Sequence, residues 1–385
     1  MPGFSSMDDI INAATTLGQT FRSDWAKNFL PTTPAVAGEW HCLARGGGNP
    51  PNDAIFNVGT NLAFQQVLDT TANAGAMLHG GAVSPAYKFL TGVSGGTAAA
   101  TSTPGTLMLV DLVGFYRVTS TTTITSQAMS NPLVAYSTFT ADASTDTCTH
   151  SNNNLLTYTR VQFTTTVTLP AGLSLATDYY IIKVTDTTFK VATSYANAVA
   201  GTAVNITDAG TGTHTVSGVL PRYTNGAGVQ AFMWANNATP LGAATPNLSL
   251  ASYTNSAQAT GRATPTVLPV GKTACPNGQI LYSGTGVGKF GPFMPLQAGD
   301  AGIAKVDNVQ ISVSYVSGEF SLALCKPLVS FPITTLGVLT EKDLINQFPS
   351  GVRVYDGAAL YWLYNSGAAT PINSAFFGHA DFIWK

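Results

Sequence analysis

Apolar and polar residues alternate along much of this chain with the two-residue period of β-strands. The clearest case is the segment Val309 to Tyr315, which a turn at Gly318-Glu319 joins to the apolar run Phe320 to Leu324. We expect these two segments to form a hairpin. The run Leu107 to Val113 is apolar at nearly every position, which predicts a strand buried on both faces.

One segment near the N-terminus follows the period of a helix instead. Ser6 can cap its first turn, and Pro31 would end it. Its apolar residues recur at steps of three and four: Ile10, Ala14, Leu17, Phe21 and Trp25. The pattern predicts a long helix over 6–30, which either docks on its own domain or lies as an arm on a neighbouring subunit.

Residues 117–220 differ in composition from the rest of the chain, because they are rich in threonine and contain no glutamate. Short strand patterns such as Tyr179 to Val184 and Thr188 to Ala192 alternate with turn signals, and Ser194 to Ala200 can form one helical turn. A small domain can be inserted at a loop tip when its two ends lie close together. We therefore expect an inserted β module at 117–220.

The remaining residues would form the host of this module, over 32–116 plus 221–385, preceded by an N-terminal helical arm at 1–31. The Gly/Ala/Ser/Thr-rich stretch Thr91 to Pro104 predicts a surface loop, and Glu341 to Gln347 a short helix. The C-terminal runs Tyr361 to Tyr364 and Ala380 to Trp384 are strand-like and aromatic. The expected fold is mainly β, with a jelly-roll or β-sandwich-like host, one N-terminal helix and an inserted small antiparallel β domain.

The chain of 385 residues has 45% hydrophobic and only 9% charged residues, with a net charge of −2. Threonine, serine and asparagine must therefore supply most of its polar surface. Because so little charge keeps a monomer apart from its neighbours, we expect much of this surface to be covered in an assembly. No basic cluster suggests a nucleic-acid partner, and no apolar stretch reaches the roughly 20 residues of a membrane helix.

The cysteines are scattered, without paired spacing, which is typical of reduced and mostly buried thiols. They are Cys42, Cys148, Cys275 and Cys325. The first residues of the sequence lack the basic and then apolar layout of a signal peptide. We therefore expect the chain to fold in the cytoplasm.

Motifs for catalysis or cofactors are weak throughout the sequence. Gly284 to Lys289 suggests a phosphate loop, but Ser283 stands where that motif needs glycine and Phe290 where it needs a hydroxyl. His41-Cys42 and Cys148-Thr149-His150 are the closest pairs of metal-binding residues, and neither has a second pair nearby in sequence. We expect no catalytic, cofactor-binding or metal-binding residues, and the chain is predicted not to be an enzyme.

Two stretches resemble structural proteins of tailed bacteriophage particles. A small β module that recurs in phage tail, fibre and head-surface proteins is similar to five segments: Leu169 to Leu173, Tyr179 to Val184, Phe189 to Ser194, Ala200 to Val204 and Thr207 to His214. The host segments resemble a family of phage virion structural proteins, many of which lack the module. These segments are Leu107 to Tyr116, Leu220 to Gly228, Gly291 to Leu296, Cys325 to Leu328, Glu341 to Gln347 and Tyr355 to Ala358.

The resemblance implies a structural protein of the virion that is assembled in the host cytoplasm and acts without catalysis. It favours capsid decoration, with other virion proteins as partners, above all the major capsid protein, and a homo-oligomer, by preference a trimer. Candidate interface residues are large and apolar: Phe21, Trp25, Trp362, Tyr364, Phe382 and Trp384. Each of them can equally belong to a core.

Two alternatives stay open. A tail appendage or fibre protein could use the inserted module to touch host glycans, if the module presents an outward aromatic groove. Tyr158, Tyr179, Tyr180 and Tyr195 are the aromatic residues available for it, and each can instead be a strand-core residue. A capsule-degrading enzyme would require paired carboxylates in a cleft.

Overall fold

The structure, a computed structural model, describes residues 4–29, 34–56, 59–71, 75–99, 102–151, 155–236, 239–265, 268–284, 291–347, 351–370 and 373–385. Helices are few and short in these residues. They are α1 (Met7–Thr15), α2 (Tyr195–Val199) and α3 (Leu344–Gln347), with one 3-10 turn at Leu43–Arg45.

Strands make up most of the described chain. In chain order they are β1 (Thr20–Asn28), β2 (Trp40–Cys42), β3 (Gly48–Asn49), β4 (Phe64–Gln66), β5 (Lys88–Thr97), β6 (Gly105–Val118), β7 (Gln127–Ala128), β8 (Val134–Asp142), β9 (Thr147–His150), β10 (Arg160–Thr165), β11 (Tyr179–Lys183), β12 (Thr188–Ala192), β13 (His214–Gly218), β14 (Gln230–Ala235), β15 (Leu248–Asn255), β16 (Ile303–Ile311), β17 (Phe320–Ile333), β18 (Thr340–Asp343), β19 (Val352–Val354), β20 (Leu360–Ser366) and β21 (Ala375–Trp384).

Two six-stranded sheets form a β-sandwich. The outer sheet has the order β18-β5-β21-β1-β3, with β19 also paired to β5. The central sheet has the order β14-β17-β6-β20-β2, with β4 also paired to β6. Leu90 and Phe382 from the outer sheet meet Leu109 and Trp362 from the central sheet in one buried cluster. The prediction of a mainly β chain with a sandwich-like host is therefore confirmed.

A third layer covers the other face of the central sheet. It consists of a small sheet of order β15-β16-β7 and of the segments around it. Val113 and Trp234 of the central sheet pack there with Leu250 and Val309 of the small sheet. Because β6 lies between two cores, it is buried on both faces, as its apolar sequence predicts.

The inserted module is a closed six-stranded barrel of order β10-β11-β12-β9-β8-β13. Its core contains Phe139, Phe163, Ile181, Phe189 and Val216. Apolar and polar residues alternate along each strand, and every second side chain of a closed barrel points inwards. The apolar side chains therefore form the core of the barrel. The predicted strands at Tyr179 and Thr188 and the helical turn after Ser194 are confirmed.

The barrel strands run from Val134 to Gly218, inside the range 117–220 expected for the module. Residues at the start of that range belong with the host, because β7 pairs with β16 and Ser130 bridges to Ala63. Val134 and Gly218 are direct cross-strand partners. The barrel thus leaves and re-enters the host at neighbouring points.

The segment Thr20 to Asn28 is a strand and not the second half of a long helix. Helix α1 begins after the Ser6 cap as predicted, but it ends at Thr15, and β1 pairs with β21 over nine residues. Leu17, Phe21 and Trp25 are four residues apart, so they share one face of a helix, but they also share one face of a strand. Pairing with β21 decides between the two patterns, and residues 20–28 form part of the outer sheet.

The first half of the stretch predicted as a surface loop, Thr91 to Pro104, belongs to β5, a buried strand inside the outer sheet. Its small residues reflect close packing. A Cβ atom on Gly95 would lie 2.5 Å from the Leu107 side chain of the central sheet. Low side-chain volume here allows the two sheets to approach, and it does not indicate exposure.

Two further predictions need correction. The segments around Val309 and Phe320 do form strands, but β16 pairs with β15 and β7, while β17 pairs with β14 and β6. They lie in different sheets, so the expected hairpin is wrong. The predicted helix Glu341 to Gln347 is half strand, since β18 reaches Asp343 before α3 begins.

Candidate interaction surfaces

Four of the six predicted interface residues lie in the sandwich core. Trp25 and Trp362 stack with ring centroids 4.6 Å apart, and Tyr364 and Phe382 are at most 1% exposed. These side chains hold the two sheets together and offer no area to a partner. Phe21 and Trp384 are partly exposed, and only these two of the six can contribute to a surface contact.

Many of the scarce charged residues are also buried. The guanidinium of Arg222 forms two hydrogen bonds with the carboxylate of Asp111, and both side chains are at most 1% exposed. Arg45 pairs with Asp53 at 2.7 Å. The ammonium of Lys27 donates to the backbone carbonyls of Ala44, Pro50 and Pro51. These groups fasten loops onto the sandwich, which satisfies buried carbonyls that would otherwise lack a donor.

One buried cluster has the composition of a catalytic relay. Lys88 Nζ lies 2.9 Å from His79 Nδ1, and His79 Nε2 lies 3.1 Å from Asp69 Oδ2. Burial lowers the pKa of the Lys88 ammonium. However, Lys88 and His79 are each only 1% exposed, so no substrate reaches them. The cluster therefore fixes the segment before β5 to the outer sheet.

A second buried cluster joins Glu39, His41 and Lys272. The Lys272 ammonium donates to Glu39, and His41 Nε2 lies 3.6 Å from the same carboxylate. Burial opposes the charge on Glu39, but its interactions with His41 and Lys272 outweigh burial and lower the pKa of Glu39 to about 2. Burial also lowers the pKa of His41. The carboxylate is thus charged at neutral pH beside a neutral imidazole.

Within the part of the chain that the structure describes, no three potential metal-binding side chains come together. In the same residues, no helix is long and apolar enough to cross a membrane. Most of the phosphate-loop-like segment, 285–290, lies outside the described residues.

Strand β1 carries a stretch of sheet edge that no other described segment covers. Asn28 N donates to Gly47 O, and Asn49 Nδ2 donates to Asp24 O. Both hydrogen bonds use backbone groups of even-numbered residues. The backbone N–H and C=O groups of the even-numbered residues of β1 therefore point away from β21. Strand β3 covers this edge only at Ala26 and Lys27. The backbone groups of Thr20 and Arg22 have no backbone partner on that side among the described residues.

The other long edges are protected in different ways. The outer side of β14 bonds to Gln279 and Leu281, and that of β15 to Arg262 and Thr264. At the opposite end of the outer sheet, β18 is short and carries three consecutive charged residues, which discourages pairing. The barrel closes on itself. The edge at Thr20 to Arg22 belongs to a long, regularly paired strand, no other described segment bonds to it, and its charged residue Arg22 is compensated by Asp24.

A groove of about 250 Å³ runs beside this edge. Its walls are the outer side of β1 from Phe21 to Asp24, with Pro50, Met77 and Leu78 opposite. Leu78 is 65% exposed. The groove combines unpaired backbone groups with an apolar wall, which is the chemistry that receives an extended segment of another chain. Residues Thr20 to Asn28 also fit the two-residue period of a β-strand, and this pattern is the sequence signal that could have revealed the edge.

The barrel presents a different surface, made largely of threonine hydroxyls. Directly paired threonines on β10, β13 and β8 form one row, and those on β8, β9 and β12 form another. The rows are Thr164, Thr215 and Thr138, and then Thr140, Thr149 and Thr188. Among the tyrosines of the module, Tyr179 belongs to the barrel core, whereas Tyr158, Tyr180 and Tyr195 lie together on the outside.

Comparisons of this chain with known protein families, with curated proteins and with solved structures find no match.

Proposed function

We propose that this protein is a non-enzymatic structural component of a tailed-bacteriophage particle, with capsid decoration as its role. It would join other virion proteins, above all the major capsid protein, and form a closed homo-oligomer, by preference a trimer. The observation that carries the proposal is the uncovered edge at Thr20 to Arg22 beside its apolar groove. An unpaired stretch of edge can pair with another chain, so we infer that a partner covers it in the particle.

The distribution of charge supports the same proposal. Potentially reactive groups such as Lys88, His79 and Asp111 are sequestered in buried networks. Because only 9% of the residues are charged, few charged side chains remain for the exposed surface. Attachment would therefore depend on strand pairing and buried apolar area more than on ion pairs.

The edge can be tested by removing one outward backbone donor. Arg22→Pro deletes the N–H that faces the groove, whereas the hydrogen bonds to β21 come from odd-numbered neighbours. Arg22→Ala is the matched control, because it removes the same charge and keeps the N–H. Purified variants would be mixed with phage heads that lack this protein, and the bound fraction measured by co-sedimentation.

We expect Arg22→Ala to bind heads and Arg22→Pro to bind at least about tenfold more weakly, since a strand-pairing contact needs that donor. Leu78→Glu, on the exposed wall of the groove, should weaken binding without loss of folding. If both Arg22→Pro and Leu78→Glu fold and decorate heads normally, the edge is not the attachment site. Immunogold signal on tails instead of heads would refute the decoration role itself.

A further inference from the structure

The uncovered edge of β1 has room for only a short strand. Thr20 and Arg22 have no backbone partner on that side among the described residues. Further along β1, strand β3 already occupies the edge, and the Asn49 side chain donates to Asp24 O. A strand added beside β1 would therefore lie opposite the residues from Thr20 to Asp24, and it would be about five residues long.

The two faces of such a strand would meet different surroundings, because side chains alternate across a strand. Odd-numbered residues of β1 face the sandwich core, whereas the even-numbered ones are exposed. Met77 belongs to the same buried cluster as Trp25, and it lines the groove together with Leu78. Alternate side chains of the added strand would therefore contact Met77 and Leu78, and the side chains between them would lie beside Arg22 and Asp24.

The exposed face of this edge has an incompletely compensated carboxylate. The Arg22 guanidinium lies 3.3 Å from Asp24 and 3.9 Å from Asp381, so two carboxylates share it. Asp381 also has His379 Nε2 at 3.5 Å. Among the described residues, Asp24 forms an ion pair with Arg22 alone, and its side chain is 78% exposed. Opposite charges at directly paired positions stabilise neighbouring strands, so a basic residue is favoured opposite Asp24.

We propose that this edge accepts an antiparallel strand with a basic residue opposite Asp24 and apolar residues at the two positions that face the groove. The proposal rests on attachment through the edge and names the chemistry of the partner segment. Both strands that pair with β1 are antiparallel to it. Read from its N-terminus, the segment is basic, apolar, polar, apolar and polar. Its charge sets register and direction, while backbone hydrogen bonds and apolar contacts supply most of the affinity.

The test uses the full chain and three fluorescein-labelled peptides: Lys-Val-Thr-Val-Thr, Glu-Val-Thr-Val-Thr and Thr-Val-Thr-Val-Lys. The third peptide has the composition of the first in reversed order, so it places its lysine opposite Asp24 only in a parallel orientation. Fluorescence anisotropy measures the dissociation constants. We expect the first peptide to bind about threefold more tightly than either of the others, as one exposed ion pair allows.

Substitutions in the protein separate charge recognition from apolar contact. Arg22→Ala should strengthen binding of the first peptide about threefold, because Asp24 then lacks its only cation. Asp24→Lys should invert the preference between the lysine and glutamate peptides. Leu78→Glu should weaken binding of all three peptides. Asp142→Asn is the matched control, since it removes a carboxylate from an exposed position of the barrel, and it should change nothing.

The proposal is overturned if no peptide binds, if the reversed peptide binds most tightly, or if Asp24→Lys leaves the preference unchanged. A second copy of this chain is the competing occupant, because its Arg22 can lie opposite Asp24. A dimer of the purified protein in analytical ultracentrifugation that Arg22→Pro abolishes would also overturn the proposal. Attachment through the edge is judged separately, from the binding of Arg22→Pro and Leu78→Glu to heads, so the peptide results alone refute only the chemistry of the partner segment.

Discussion

Replacement of Asp111 by asparagine should destabilise the host far more than any surface substitution. Asp111 and Arg222 are at most 1% exposed, so the variant leaves a guanidinium buried without a counter-charge. Loss of one partner from such a pair costs roughly 3–5 kcal/mol. Arg222→Met should cost more, because Arg222 also donates to Val67 O and Leu112 O, at about 1 kcal/mol for each lost bond. The double variant buries no charge, so it should cost no more than Arg222→Met alone.

Guanidinium unfolding followed by tryptophan fluorescence measures these differences in the host. All tryptophans lie outside the barrel strands: Trp25, Trp40, Trp234, Trp362 and Trp384. Asp24→Asn is the matched control, since it removes a carboxylate from an exposed pair with Arg22, and such pairs contribute roughly 0–1 kcal/mol. The reasoning is wrong if Asp111→Asn shifts stability no more than this control. It is equally wrong if the two core substitutions are additive within about 0.5 kcal/mol.

Two further outcomes are expected. Deletion of 135–217, with a short linker between the cross-strand partners Val134 and Gly218, should leave the unfolding transition of the host and its incorporation into particles intact. The longer deletion of 118–219 would also remove β7, which pairs with β16 of the host. Loss of incorporation in the shorter deletion would contradict a purely accessory barrel. Glu39→Gln should cost roughly 3 kcal/mol at pH 7, because the pKa of this carboxyl falls from 4.5 to about 2 on folding. This contribution to stability is complete above pH 4.5 and disappears as the pH falls towards 2. In chemical unfolding, the free energy of unfolding should therefore differ less between wild type and Glu39→Gln at pH 3 than at pH 7. The same difference at both pH values would exclude the mechanism.

Sequence periodicity predicts the existence of strands in this chain better than their partners. Residues 309–315 and 320–324 alternate or are apolar as strands should be, yet the partner of each lies far away in the sequence. A period of two fixes which side chains face a core, but it contains no information on which strand lies alongside. The barrel strands were easier to predict because tight turns separate β11 from β12, so neighbours in sequence are also neighbours in space.

The candidate interface was predicted less well for a related reason. Large aromatic residues such as Trp25 and Trp362 contribute equally well to a core and to an interface. Hydrophobicity alone cannot separate these roles, and in this sandwich both rings face inwards. The surface that we propose for attachment is made partly of backbone groups at Thr20 and Arg22. Every sequence has such groups, and only the sheet topology reveals which of them are uncovered.

The few charged residues of this chain have a structural role. Arg222, Arg45, Lys27 and Lys88 are placed inside, where each one fastens a loop or a neighbouring strand to the sandwich. Their hydrogen bonds satisfy buried carbonyl groups that would otherwise lack a donor. The outside is left to threonine hydroxyls on the barrel and to an uncovered strand edge on the host. On this division, we propose that the host attaches through its edge, and we expect that the barrel can be removed without disturbing this attachment.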